Sequence, residues 1–343
     1  MGNNRLTIGL AMSGGVDSTV AAALLLEQGY AVEGFFMLLP VPGLEQQQEK
    51  VVEVARCLHI PLHCIDVKEA FSNQVLHYFA SSYQKGLTPN PCIYCNQHIK
   101  FGLLLDAMHE HGAETTASGH YADIDTTGIA PVIKRGNDPL KDQSYFLCRL
   151  TPDQLQHHLF PLSGLTKEVI FSKAEALGFH YDGEESQDVC FLQNDLSAFL
   201  TSRGLEEQPG DFVSTDGRIL GTHNGIWRYT IGQRRGLGLP DATPWYVVAL
   251  DSSTNQVIVG KQDDVLRDEL TVHSLLWQSR PPSFPWQGLV QIRSRHTPVQ
   301  AEVMPHDGKR AKVTFSSPQR AVTPGQYAVF YSDDMVIGSG IIE

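Results

Sequence analysis

The string Ser13-Gly14-Gly15-Val16-Asp17-Ser18 lies between two apolar runs of different period, and that placement constrains the fold more than any other feature of the 343-residue chain. Leu6 to Met12 reads as a short buried strand, Val16 to Gln28 as an apolar helix that Gly29 can close, and Ala31 to Leu39 as a second apolar strand. This is the opening of a β-α-β unit. At such a junction paired glycines let the backbone approach an anion, and the Ser13 and Ser18 hydroxyls add hydrogen bonds. The helix N-terminus contributes roughly half a positive charge. A pyrophosphate fits a turn of that kind. The Gly-Lys-Ser/Thr ending of a Walker loop is absent, which argues against cleavage at a γ-phosphate.

Farther along, residues 45–58, Ala70 to Lys85 and Ile99 to His111 read as helices, while Ile60 to Val67 and Thr115 to Ser118 read as strands. The alternation predicts a mostly parallel sheet with helices on both faces. Beyond about residue 200 the texture changes. Short alternating runs broken by Gly, Pro, Asn and Asp (Trp245 to Leu250, Gln256 to Gly260, Leu289 to Arg293, Ala311 to Phe315, Gln326 to Tyr331) predict antiparallel strands. The stretch Arg280 to Pro285, with Pro281, Pro282 and Pro285, is a candidate hinge between two β-rich units. A chain of this length is expected to form two or three domains, placed at 1–199, 200–278 and 279–343.

No run approaches the roughly 20 apolar residues of a membrane span, and the first residues lack a secretory core, so a cytoplasmic location away from membranes is expected. The six cysteines (Cys57, Cys64, Cys92, Cys95, Cys148, Cys190) then argue for chemistry rather than a disulfide scaffold. A net charge of −12 seems to oppose nucleic acid, yet residues 1–199 alone hold 12 basic and 23 acidic side chains. The last third is nearly neutral and groups Arg293, Arg295, His296, Lys309, Arg310 and Lys312, so local basic patches are compatible with RNA.

Two cysteine strings stand out. Thr88-Pro89-Asn90-Pro91-Cys92-Ile93-Tyr94-Cys95-Asn96 is a proline-rich loop leading into the helix of Ile99 to Gly102. Thiols near a helix start are expected to have a lowered pKa and nucleophilic character. Ser186-Gln187-Asp188-Val189-Cys190-Phe191-Leu192 places a third cysteine between a polar and an apolar run, and alone it reads as core. Cys57, Cys64 and Cys148 have no supporting motif and read as ordinary buried residues.

The six-residue string at the first strand-helix junction resembles the PP-loop of the N-type ATP pyrophosphatases, which cleave ATP to AMP and pyrophosphate. NAD, GMP and argininosuccinate synthetases and tRNA-modifying enzymes share that loop, so it names a reaction type and leaves the substrate open. The two cysteine strings together resemble those of the tRNA-specific 2-thiouridylases of the MnmA type. Strings in that family's order continue through Ser118-Gly119-His120-Tyr121, Lys141 to Leu147, Tyr229 to Gly238, Arg293-Ser294-Arg295-His296 and Thr323-Pro324-Gly325-Gln326, over nearly the whole chain.

The resemblance implies an N-terminal α/β PP-loop domain (adenine nucleotide alpha hydrolase-like) with a parallel sheet, a small β-rich middle domain and a C-terminal β-barrel, the last two clamping tRNA. It implies that Ala11, Met12, Ser13, Gly14, Gly15, Val16, Asp17 and Ser18, with Met37 and Gly119, bind ATP. It assigns tRNA contacts to Asn90, Pro91, Cys92, His120, Lys141, Asp142, Gln143, Arg295, His296 and Gln326. The implied chemistry adenylates the C2 oxygen of the wobble uridine, with Mg2+ screening the phosphates. Sulfur then replaces the oxygen to give 2-thiouridine, AMP and pyrophosphate. Cys190 matches the cysteine that carries a persulfide, and Cys95 the one that forms a disulfide with it. The Lys, Glu and Gln tRNAs and a persulfide or sulfide donor protein are the implied partners. Where many members carry Asp after Asn-Pro this chain has Cys92, so Cys92, Cys95 and Cys190 form a candidate ligand set for an iron–sulfur cluster. Zinc lacks an evident fourth ligand. The competing readings are an AMP-forming PP-loop ligase or amidotransferase, and a non-catalytic tRNA-binding sulfur carrier.

Overall fold

The computed structural model describes residues 6–181, 189–192, 195–279, 283–306 and 308–343. The chain divides into two compact units: Met1–Val75 with Cys92–Phe191 and Asp334–Ile337, and Leu76–Pro91 with Leu192–Asp333 and Gly338–Glu343.

The first unit is built on β1 (Thr7–Ala11), α1 (Val16–Glu27), β2 (Ala31–Leu38), α2 (Leu44–Leu58) and β3 (Leu62–Asp66). Next come α3 (Lys68–Phe71) and a π-helical turn at Ser72–Leu76, and α4 (His77–Gln84), which belongs to the second unit, completes the expected helix after residue 70. Then α5 (Pro91–Cys95), a longer π-helical turn at Asn96–Leu103 and α6 (Leu104–Glu110) lead to β4 (Thr115–Ser118). The hairpin β5 (Ala122–Asp125) and β6 (Val132–Arg135) follows, then α7 (Pro152–Leu155), β7 (His158–Leu159) and α8 (Lys167–Ala176). The sheet order is β3-β2-β1-β4-β7 and every pairing is parallel. Both faces are covered, as a parallel sheet requires. Ile8 and Leu10 pack with Val20, Ala21 and Leu25 of α1 on one side, while Phe35 packs with Leu104 and Met108 of α6 on the other.

The chain steps from β1 to β2 and β3 in one direction and then crosses to β4 on the far side of β1. The crevice at this switch in direction lies beyond the carboxyl ends of β1 and β4, where α/β folds bind ligands. The Met12–Gly15 turn and Gly119 both lie there. Two of the cysteines expected to be buried are exposed: Cys57 sits on the outer face of α2 and Cys64 on the edge strand β3, while Cys148 is buried as expected.

In the second unit α9 (Leu196–Ser202) is capped by Asp195, whose Oδ1 accepts from the Ala198 N–H at 2.9 Å. A four-stranded sheet contains β8 (Gly210–Ser214), β9 (Ile219–His223), β10 (Tyr246–Asp251) and β11 (Gln256–Gly260) in the order β10-β11-β8-β9. Its β11–β8 pairing is parallel, unlike the antiparallel expectation for these runs. The remaining strands are β12 (Leu266–Trp277), β13 (Trp286–Gln291), β14 (Val299–Pro305), β15 (Ala311–Arg320), β16 (Tyr327–Ser332) and β17 (Met335–Ile342). They run β12-β15-β14-β13-β16-β17, and β12 pairs again with β17, so the ring closes as a six-stranded barrel. Alternation in β15 shows why: Ala311, Val313 and Phe315 are buried while Lys312 and Thr314 are exposed.

The expected hinge at Arg280 to Pro285 is corrected by this topology. Arg280, Pro281 and Pro282 lie outside the described residues, but β12 and β13 on either side belong to one barrel. No described helix is long and apolar enough to cross a membrane.

The Thr323–Gln326 turn grips the loop that precedes the cysteines. Thr88 N–H donates to the Pro324 carbonyl at 2.9 Å, and Gln326 Nε2 donates to the Thr88 carbonyl at 2.8 Å. Gly325 has φ +92°, and a Cβ there would stand 3.0 Å from both the nitrogen and oxygen of Thr88. Gly178, at φ +81°, has open space around it. Gly178→Ala is expected to cost about 1–2 kcal/mol from the left-handed backbone alone, and Gly325→Ala at least about 1 kcal/mol more from the clash. Equal losses in urea unfolding of the two variants would contradict the close approach.

Candidate active site

The Met12–Gly15 turn is shaped by its own hydroxyls. Ser13 N–H donates to Ser18 Oγ at 3.2 Å, Gly15 N–H donates to Ser13 Oγ at 3.3 Å, and the Ser18 and Thr19 hydroxyls donate to the Gly15 carbonyl at 3.1 and 3.0 Å. Gly14 takes φ +75°, and a Cβ there would meet the Val51 nitrogen at 3.0 Å. Gly119 has the complementary role from β4, since a Cβ there would lie 3.1 Å from the Asp17 carbonyl carbon and the Ser18 nitrogen. Two backbone segments thus meet around the first turn of α1 with no side chain between them. Gly15 caps that helix without a side-chain bond, so no side chain of the cap competes for its first N–H groups.

Asp17, in that same turn, is held from two other elements. Lys167 Nζ, at the start of α8, donates to its Oδ1 at 2.8 Å and Oδ2 at 3.0 Å, and the Tyr121 hydroxyl donates to Oδ1 at 2.5 Å. Met37, next to last in β2, and Ala11, the last residue of β1, both pack against the cluster of Phe35, Leu104 and Met108.

The three thiols belong to the same unit as this turn. Cys92 is half-buried, Cys95 is buried, and Cys190 is exposed as a residue although its sulfur lies against protein. Phe191 anchors the Cys190 segment, with its ring edge-on to Phe71 at 6.0 Å. Burial pushes the Cys92 thiol up to about 11 and the Cys95 thiol up to about 12. Lys100 lowers both in part, and charge at Cys190 raises both. Burial also raises Cys190, again opposed by Lys100. The expected lowering by a helix start is therefore overturned. Helix α5 has only five residues with Cys95 at its last position, and loss of water outweighs any dipole. Among the described residues no three His, Cys, Asp or Glu side chains are grouped to hold a metal ion.

Lys100 lines a small cavity with Phe101, Met108, Thr116, Ser118, His120 and His158, between β4 and the helices that follow the cysteines, and its charge acts on all three thiols. Ser118 Oγ lies 2.9 Å from both His120 Nδ1 and His158 Nε2, and His158 Nδ1 lies 2.7 Å from Thr116 Oγ1. Burial pushes His158 down to about 3 and drives His120 well below the usual range, so both rings are neutral at pH 7.

Known proteins match this chain along its length. Residues 6–194 match the tRNA methyl transferase HUP domain family, 197–261 the tRNA methyl transferase PRC-barrel domain and 267–342 the aminomethyltransferase beta-barrel domain. The tRNA-specific 2-thiouridylase MnmA of Desulfotalea psychrophila is 48% identical over 338 residues, covering 97% of this chain and 98% of that protein. That of Trichlorobacter lovleyi is 42% identical over 344 residues, covering 98% and 97%. The chain belongs to the tRNA-specific 2-thiouridylase family.

Several side chains matched to RNA contacts in this thiouridylase family make internal bonds here. Asp142, with its side chain 7% exposed, accepts from Arg135 Nη1 at 2.7 Å, Ser144 Oγ at 2.7 Å and the Gly136 and Ser144 N–H groups at 3.1 Å. Gln143 Oε1 accepts from the Tyr121 N–H at 3.0 Å, and His296 Nε2 lies 2.9 Å from Gln319 Oε1. Arg295 is exposed, Lys141 is half-buried and Asn90 is buried beside Pro91, the first residue of α5. Ser186, Gln187 and Asp188 lie outside the described residues. Sequence reasoning missed Lys100 and Lys167. Lys100 stood in the quoted helix next to the cysteines, whereas nothing in the sequence ties Lys167 to Asp17.

A thiol whose pKa is raised is neutral below it, so its alkylation climbs with pH. In the folded protein at pH 8, Cys57 and Cys64 are expected to react with iodoacetamide first, with Cys95 gaining about tenfold in rate per pH unit from 7 to 10. Peptide mass spectrometry reads this directly. Cys95 reacting at pH 7 as fast as Cys57 would contradict the burial effect.

Proposed function

We propose that this chain is a tRNA-uridine 2-sulfurtransferase that uses ATP to replace the C2 oxygen of the wobble uridine, position 34, with sulfur. The observation that supports the reading is that the Ser13–Ser18 turn with Gly119 and the three thiols Cys92, Cys95 and Cys190, on all of which the Lys100 charge acts, belong to one compact unit. A turn suited to pyrophosphate and a set of sulfur nucleophiles are thereby built into one unit.

The chemistry follows from the substrate. The C2 carbonyl of uridine has no leaving group, so transfer of AMP from ATP to its oxygen, with release of pyrophosphate, supplies one. The Ser13–Ser18 turn and Gly119 orient the phosphates, and Mg2+ brought with ATP screens their charge. Cys190 carries the sulfur as a persulfide whose outer atom attacks C2 as AMP leaves. The Cys95 thiolate then attacks Cys190 Sγ, the sulfur–sulfur bond breaks, and 2-thiouridine departs while a Cys95–Cys190 disulfide forms. A thiol reductant resets the pair. The target base has to leave its stack, which an anticodon loop makes inexpensive. The β-rich part of the chain from residue 200 on, with Arg293 and Arg295 exposed, binds the tRNA, of which the Lys, Glu and Gln species are the proposed substrates. A donor protein bearing persulfide supplies Cys190. An amine-accepting PP-loop ligase would have no use for Cys95 and Cys190.

Incubation with tRNA, ATP, Mg2+ and a persulfide donor should yield 2-thiouridine at position 34, with AMP and pyrophosphate in equal amounts, by nucleoside mass spectrometry. Cys95→Ala and Cys190→Ala are each expected to lower the yield by about 10³-fold or more, as loss of a nucleophile does. Protein purified without oxygen is expected to be colourless, iron-free and fully active. Thiolation that survives Cys190→Ala, or that requires iron, would overturn the thiol relay.

A further inference from the structure

The turn read as the ATP site has an acid in the wrong place for a polyanion. Asp17 lies in the first turn of α1, and a bare carboxylate there would repel both ATP and the pyrophosphate released from it. It is not bare. Lys167 Nζ donates to both of its oxygens, at 2.8 and 3.0 Å, and the Tyr121 hydroxyl donates to one of them. The Lys167 side chain is 12% exposed against 33% for Asp17, so the ammonium approaches from the protein side and leaves the carboxylate the more open partner.

Lys167 is itself fixed in place. Its backbone N–H donates to Oδ2 of the buried Asp138 at 3.0 Å, and its ammonium stands 5.1 Å from the Phe171 ring and 5.5 Å from the Tyr121 ring. Asp138 Oδ1 accepts from the Leu140 N–H at 3.0 Å, which ties the start of α8 to the loop after β6. This much construction around one ion pair, between residues 150 apart in sequence, exceeds what a solvated surface pair requires.

We propose that Lys167 is a positioning residue for the nucleotide: by holding and neutralising Asp17 it keeps the Ser13–Ser18 turn receptive to pyrophosphate. The inference rests on the reading of that turn as the ATP site. Its consequence is a specific non-additivity. Removing Lys167 alone exposes the acid, whereas removing both charges restores a turn that accepts an anion.

Inorganic pyrophosphate titrated calorimetrically into the whole protein in metal-free buffer tests this. Lys167→Met is expected to weaken binding by about tenfold or more, and Lys167→Arg to stay within about threefold of the parent. The double variant Lys167→Met with Asp17→Asn is expected to return to within about threefold of the parent. A merely structural role for Lys167 would lower stability in urea unfolding of Lys167→Met while leaving the pyrophosphate affinity of the folded variant unchanged. Asp17→Asn alone keeps the fold assessable and is expected to bind pyrophosphate at least as tightly as the parent. Unchanged affinity in Lys167→Met, a double variant as weak as Lys167→Met, or weakened binding by Asp17→Asn would each overturn the inference alone. A parent protein that takes up no pyrophosphate would overturn the reading of the turn as well.

Discussion

Burial of sulfur beside a single cation is the constraint on which the site depends. Cys92 and Cys95 lose water on folding and become harder to ionise, and Lys100 is the group that opposes this at all three thiols. Its position follows from the backbone. Cys95 and Lys100 are five residues apart, a spacing that an α-helix turns to different faces and a π-helical turn stacks on one. The turn at Asn96–Leu103 is π-helical and is held from outside: Gln154 Nε2 donates to the Gln97 and Phe101 carbonyls at 2.8 and 2.7 Å, and Asn96 Nδ2 donates to the Phe146 carbonyl at 3.0 Å. A capping box between Thr151 and Gln154 fixes the residue that does the holding. Neutral thiols in the resting protein resist oxidation and stray alkylation, while a negative sulfur brought to the site meets a cation already in place.

Much of the first unit was legible in the sequence. The apolar runs around Ser13 to Ser18 gave the strand, helix and strand at nearly their true limits, because burial on both faces of a parallel sheet leaves an unmistakable composition. The alternating runs after residue 200, with one face buried, matched β10 and β11 of the four-stranded sheet and β13, β15 and β16 of the barrel, while β12, β14 and β17 were not read. What one strand at a time could not show was register across the sheet. The prolines near 281 looked like a joint between units, although the strands on both sides close one barrel, since closure is a property of β12 with β17 and not of the loop.

The site was legible in its residue types and not in its electrostatics. The Cys-x-x-Cys spacing and the distant Cys190 pointed to sulfur chemistry, but the sign of the thiol pKa shift came out reversed because burial cannot be read from a helix start. The strings matched to RNA contacts illustrate a related limit. Asp142, Gln143, His296 and Gln326 are tied to Arg135, Tyr121, Gln319 and Thr88, so their chemistry shapes the loops that carry neighbours such as Arg295. An acidic first unit is compatible with RNA on this account, because the exposed Arg293 and Arg295 belong to the other unit.

The most direct test of the sulfur relay is a single turnover with persulfide-loaded protein, ATP and tRNA in the absence of reductant, followed by acid quench and disulfide mapping by mass spectrometry. The account predicts a Cys95–Cys190 bridge that accumulates in step with 2-thiouridine, one for one. Product formed while Cys95 remains a free thiol would contradict it.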